Sequence, residues 1–129
     1  MACLEESVTS EKRKYPRFNI DLPVKYSRRS NLFSKYGRAV NASEGGLLVH
    51  LSEEMVIGQH LALKLFLYSH SELDIISPFV KVVWTGIHMR KDFTWDYPTG
   101  VRFVAIPPND MMKFKNFLMS FMQETSGTS

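Results

Sequence analysis

Residues 22–28, Leu-Pro-Val-Lys-Tyr-Ser-Arg, alternate apolar and polar side chains, which puts Leu22, Val24 and Tyr26 on one face of an extended strand. Pro23 confines that strand to a sheet edge or to its own first residues, because proline has no amide hydrogen for a second neighbour. The same period of two returns in residues 35–40, 47–51, 61–67, 79–84 and 100–106, the stretch 79–84 being rich in β-branched residues. Between the second and third of these strands, Asn41-Ala42-Ser43-Glu44-Gly45-Gly46 reads as a turn. After Pro107 and Pro108 the period lengthens: Met111, Phe114, Phe117, Leu118 and Phe121 recur at helical steps, Met112 and Met122 widen the stripe, and Asn109 or Asp110 can accept from the first free amides. Short strands punctuated by Gly, Pro, Asn and Ser predict an antiparallel barrel or sandwich rather than βαβ units, with the helix covering an open end or side.

A chain of 129 residues holds one core. Residues 1–11 and 124–129 offer little to bury and are expected as tails, leaving 12–123 as the domain. Cys3, the one cysteine, excludes an internal disulfide and points to a reducing compartment. The early acids Glu5 and Glu6 do not suit a secretory signal, and no apolar run nears the roughly 18 residues of a membrane helix. The expectation is a soluble cytoplasmic monomer without membrane insertion.

Charge is distributed unevenly. Residues 12–38 carry nine basic side chains against the single acid Asp21, whereas beyond residue 38 seven basic side chains meet nine acids. A positive field at one end of the chain attracts anions without identifying them.

Two motifs narrow the choice. Arg13 and Arg17 are four apart around Pro16, which keeps Tyr15 extended, so the segment reads as a linker bearing two guanidinium groups. Each planar fork matches phosphate oxygens or the O6 and N7 edge of guanine, and its flat face stacks on a purine. About two dozen residues later comes Asn-x-Ser-x-Gly-Gly. Asn41 offers an amide that can accept from guanine N–H groups, and Ser43 a small hydroxyl for phosphate or base. Gly45 and Gly46 allow positive φ and bring the backbone close to a flat ring. Alone, either motif is an ordinary basic linker or an ordinary reversal; their conjunction around one strand pair points to a ligand carrying both phosphates and purines.

In these residues the chain resembles a stand-alone PilZ domain, a bacterial receptor for cyclic di-GMP. The family's R-x-x-x-R segment before the first strand and [D/N]-x-S-x-x-G segment after the second are matched by Arg13, Arg17, Asn41, Ser43 and Gly46. The flanks Lys14-Tyr15-Pro16-Arg17-Phe18, Asp21-Leu22-Pro23-Val24 and Gly100-Val101-Arg102-Phe103 resemble it too. The resemblance implies an all-β fold, a six-stranded antiparallel Greek-key barrel with a C-terminal helix. It implies cyclic di-GMP on the outer face, no cofactor, no enzymatic activity, and an unidentified protein partner in motility, biofilm or pilus function. Asn41 stands where aspartate is commoner, and Lys12 precedes Arg13 where an extra basic residue in the family often holds a stacked ligand dimer. Arg102 on the last strand faces either ligand or solvent.

Other chemistry is thinner. His50, His60, His70 and His88 are ten or more apart and match no metal motif, so no metal site is expected. Glu53-Glu54 and the pair Asp92 and Asp96 read as solvated loops, and Trp84 reads as core, the alternative being a place in the lining of the site. The segment 86–99, with Phe93, Trp95 and Tyr97, reads as a long hairpin loop, either a partner surface or lid or packed on itself. A second reading is a small barrel binding single-stranded nucleic acid through the basic stretch and exposed aromatics.

Overall fold

The structure, a computed structural model, describes residues 16–28, 34–69 and 72–128, except the side chains of Ser69 and of the residues after Phe121. Its elements are β1 Phe18–Arg28, β2 Lys35–Ser43, β3 Gly46–Leu51, β4 His60–Ser69, β5 Glu72–Ile76, β6 Phe79–Thr85, β7 His88–Met89, β8 Trp95–Ala105 and α1 Pro108–Thr128. The expected tail 1–11 lies outside the described residues, whereas α1 runs on through the expected tail 124–129 as far as Thr128.

Alternation along each strand sends one set of side chains inward. Leu22, Val24 and Tyr26 from β1, Leu47, Val49 and Leu51 from β3, and Leu61, Leu63, Leu65 and Leu67 from β4 are all buried in one cluster. Every pairing is antiparallel, and β1, β2, β3, β8, β6 and β4 follow one another until β4 returns to β1, closing a ring of six strands. Two strands lie outside that ring: β5 pairs with the end of β4 in line with β6, on the side of β4 away from β1, and β7 pairs with the start of β8. Pro23 sits where β1 has only β2 beside it, opposite Arg38, and the pairing with β4 begins at Val24, so its missing N–H removes no second bond.

The helix closes the core from outside the ring. Phe114, Phe117 and Leu118 are buried; Phe114 meets Phe103 edge-on at 5.3 Å and Phe121 stacks with Phe18 at 6.2 Å. Met112 does not widen the buried stripe: it is 62% exposed, on the solvent side of the helix. Asp110 does not cap α1; its Oδ2 accepts from Ser77 N at 2.8 Å and ties the helix start to the chain after β5. Pro108 opens the helix, where a missing N–H is harmless.

Candidate functional site

Arg17 lies one residue before β1, and Asn41 near the end of β2 is the register partner of Asn19. That pairing, rather than proximity in sequence, brings the two motifs together. Arg17 Nη1 donates to Asn41 Oδ1 at 2.8 Å, and Asn41 Nδ2 donates to Asn19 Oδ1 at 3.3 Å, so one cross-strand chain of side chains orients the Asn41 amide and the guanidinium. Two residues further on, Ser43 is buried, and its Oγ accepts from Gly45 N at 3.2 Å across the Glu44-Gly45 turn.

Gly46 is required by clearance, not by its dihedrals. Positive φ among the described residues is confined to Phe93 and Gly58, contrary to the expectation for the Gly45-Gly46 pair. A Cβ on Gly46 would stand 2.2 Å from the Val101 carbonyl oxygen, so β3 can lie against β8 here only without a side chain. Gly45 O accepts from Phe103 N at 3.1 Å and pins the turn to β8.

These residues border a groove of about 530 Å³ on the outside of the ring, within the range of small-molecule sites. Arg17 and Arg102 supply its charge, the Ser43-Gly46 turn one wall, and Leu48, Val83 and Trp84 the apolar surface. Among the described residues no carboxylate lines it. Arg102 is paired with Gly46 across β3–β8, which sets it on the groove side of its strand. Asn41 enters through its bond to Arg17, and Lys12 and Arg13 lie outside the described residues.

Trp84 is not core. A bulge between Val82 and Trp84 turns both Val83 and Trp84 outward, leaving Trp84 51% exposed with its Cβ against Gly100. Asn19, Leu48 and Val83 belong to neither motif of the sequence. Asn19 was findable, since it stands two residues after Arg17 and shares its strand face, whereas the bulge leaves no mark that alternation can read.

Two carboxylates differ from the solvated reading. Asp96 is buried in β8, with its Oδ2 bonded to His50 Nδ1 and its Oδ1 accepting from Arg90 Nη2 at 3.2 Å. Burial pushes its pKa up, but the bonds and charges of His50 and Arg90 outweigh it and hold the carboxyl below its ordinary value. Glu53 accepts from the buried Tyr26 hydroxyl at 3.1 Å and pairs with Arg28 and Lys35; these bonds overcome desolvation and lower its pKa. Both carboxylates brace strands. The 86–99 segment is a tight hairpin rather than a loose loop, with Phe93 and Trp95 exposed and Tyr97 half-buried.

Among the described residues no group of three or more His, Cys, Asp or Glu could hold a metal, and no helix is long and apolar enough to cross a membrane.

A family model described as PilZ domain matches residues 11–120. No curated protein matches. Among solved structures, the PilZ domain of YcgR from Escherichia coli, bound to c-di-GMP, superimposes with a TM-score of 0.67 at 12% identity, covering 91% of this chain and 96% of that one. The K. pneumonia MrkH–c-di-GMP complex gives 0.69 at 15% identity, over 92% of this chain and 56% of that one. The Bacillus subtilis inhibitor of motility MotI/DgrA gives 0.66 at 17%, over 87% and 52%. The chain thus spans about half the length of MotI and MrkH.

Proposed function

The chain belongs to the PilZ domain family, and on that premise we propose that it is a cyclic di-GMP receptor without catalysis of its own, acting through a protein partner. The observation that carries this reading is a groove whose only ionic groups among the described residues are two guanidinium ions, flanked by an exposed indole and a glycine-cleared turn. Such a surface suits an anion with flat rings: guanidinium forks take phosphate or the guanine O6 and N7 edge, and the Trp84 face takes a base.

Arg17 and Arg13 clamp phosphate and guanine, with Lys12 adding charge to the arm. Asn41, Ser43, Gly45 and Gly46 form the opposite wall, and Arg102 holds the β8 side. Binding draws the segment before β1 onto the groove, and the partner reads that changed surface. Motility, biofilm and pilus outputs fit this reading. Arg17 resting on Asn41 supports it, because the guanidinium is held at the groove and only its second face must turn to a ligand.

Isothermal titration of the full chain with cyclic di-GMP, repeated on Arg13→Ala, Arg17→Ala and Asn41→Ala, tests the proposal and returns the stoichiometry. Binding by wild type with sharp loss in each variant is expected. Absence of binding heat at concentrations on the order of tens of micromolar, with salt-sensitive binding of single-stranded DNA that tolerates Asn41→Ala, overturns it in favour of nucleic-acid binding.

A further inference from the structure

We propose that the free edge of β5 is a docking edge for an extended segment of a partner protein in which apolar and basic residues alternate. Within the sheet β5 pairs only with β4, so along its other side the backbone N–H and C=O groups have no strand partner among the described residues. An edge of this kind adds a strand readily unless something blocks it. The β4–β5 register runs without a bulge from Leu65–Ile76 to Ser69–Glu72, and β5 contains neither lysine nor proline.

Its two faces state the chemistry of the occupant. On the outer face Phe66 lies opposite Ile75 and Tyr68 opposite Leu73; Tyr68, Leu73 and Ile75 are 56%, 49% and 42% exposed. These cross-strand pairs form an apolar row that an added strand extends. On the other face Glu72 and Asp74 border a hollow of about 250 Å³ against α1, which Lys113 also lines. Two carboxylates thus meet one ammonium, and neither carboxylate is in an ion pair among the described residues. A strand with apolar residues outward and lysine or arginine inward satisfies both faces.

The same carboxylates discriminate against a second copy of this chain. Antiparallel self-pairing centred on Asp74 opposes Asp74 to its equivalent, and centring on Leu73 opposes Glu72 to Asp74 twice. Centring on Ile75 brings in Ser77, whose N–H already donates to Asp110 Oδ2. The acids guard against self-association while admitting a basic strand. β5 continues the line of β6 along β4, and Asp74 is nine residues from the groove residue Val83 on that line, roughly 30 Å of extended chain, so docking here does not require the nucleotide.

The test is an amide-resonance titration of the full chain with two peptides of about eight residues, an ordinary strand length, one alternating valine with lysine and one valine with glutamate. The lysine peptide is expected to shift the Glu72–Ile76 amides, to lose about tenfold in affinity with Asp74→Lys, and to bind equally with cyclic di-GMP or in Arg17→Ala. Equal binding of both peptides overturns the proposal, as do shifts centred elsewhere. Undiminished affinity in an Asp74→Lys variant that melts like wild type, or sedimentation showing β5-dependent dimers, also overturns it. Because Arg17→Ala removes the nucleotide site alone, failure of the receptor reading leaves this result interpretable.

Discussion

Arg17 and Gly46 serve the same groove for different physical reasons, and substitutions at the two should separate. Arg17 is exposed and its bond to Asn41 is at the surface, so Arg17→Ala should leave the melting temperature within about a degree while weakening cyclic di-GMP on the order of 10–100-fold, the loss of a charge-assisted contact. Calorimetry and thermal melting on one preparation check both. Gly46→Ala drives a Cβ into a backbone oxygen that no rotamer change can move, so it should cost about 1–3 kcal/mol of stability and lose the ligand as well. Denaturant titration reads the first effect. Legibility at this scale followed chemistry: guanidinium, amide and glycine announce what they can hold, so Arg17, Asn41, Ser43 and Gly46 could be named before their geometry was known. Trp84 could not, because an indole at the end of an apolar run looks like core until a bulge turns it outward.

Elements were legible where burial is one-sided. The six ring strands follow alternating residues because each has an inner and an outer face, which is the condition under which period two carries information. β5 has four exposed residues in five, so Glu-Leu-Asp-Ile shows no buried face, and β7 is too short for any period. The early half of β8 was hidden by Asp96 and Pro98, residues that ordinarily argue for a loop. Asp96 is tolerated there because His50 from β3 and Arg90 after β7 satisfy its carboxylate, so one ion joins β3, β8 and the loop between β7 and β8. Its pKa is lowered by folding, so its contribution is present above the unfolded carboxyl value of about 4 and is lost as pH falls through the folded one. Asp96→Asn should therefore cost about 2 kcal/mol near neutral pH and progressively less in acid, which urea unfolding at a series of pH values would show. A pH-independent penalty would mean that shape, not charge, makes the residue necessary.

At the scale of the whole molecule, the groove is assembled from distant parts of a closed ring: Arg17 enters β1, the turn joins β2 to β3, Trp84 ends β6 and Arg102 lies on β8. A ligand held by all four bridges strands that must separate on unfolding, so its binding energy adds to the stability of the ring as a unit. With cyclic di-GMP at a hundred times its dissociation constant, linkage gives about 2.7 kcal/mol, and for a domain of this size that raises the melting temperature by on the order of 10 °C. Arg17→Ala, weakened about 10–100-fold, should keep only about 0.4–1.4 kcal/mol of that gain at the same nucleotide concentration, and Asn41→Ala should likewise melt closer to its ligand-free temperature. The concentrated positive charge of residues 12–38 acts on capture rather than on the bound state, so added salt should slow association while leaving much of this stabilisation at saturating nucleotide. The nucleic-acid reading predicts the opposite ordering: a single-stranded oligonucleotide would raise the melting temperature more than cyclic di-GMP does, and moderate salt would erase the gain. A melting series in both ligands at two salt concentrations therefore decides whether the ring is built around a defined nucleotide or around a polyanion.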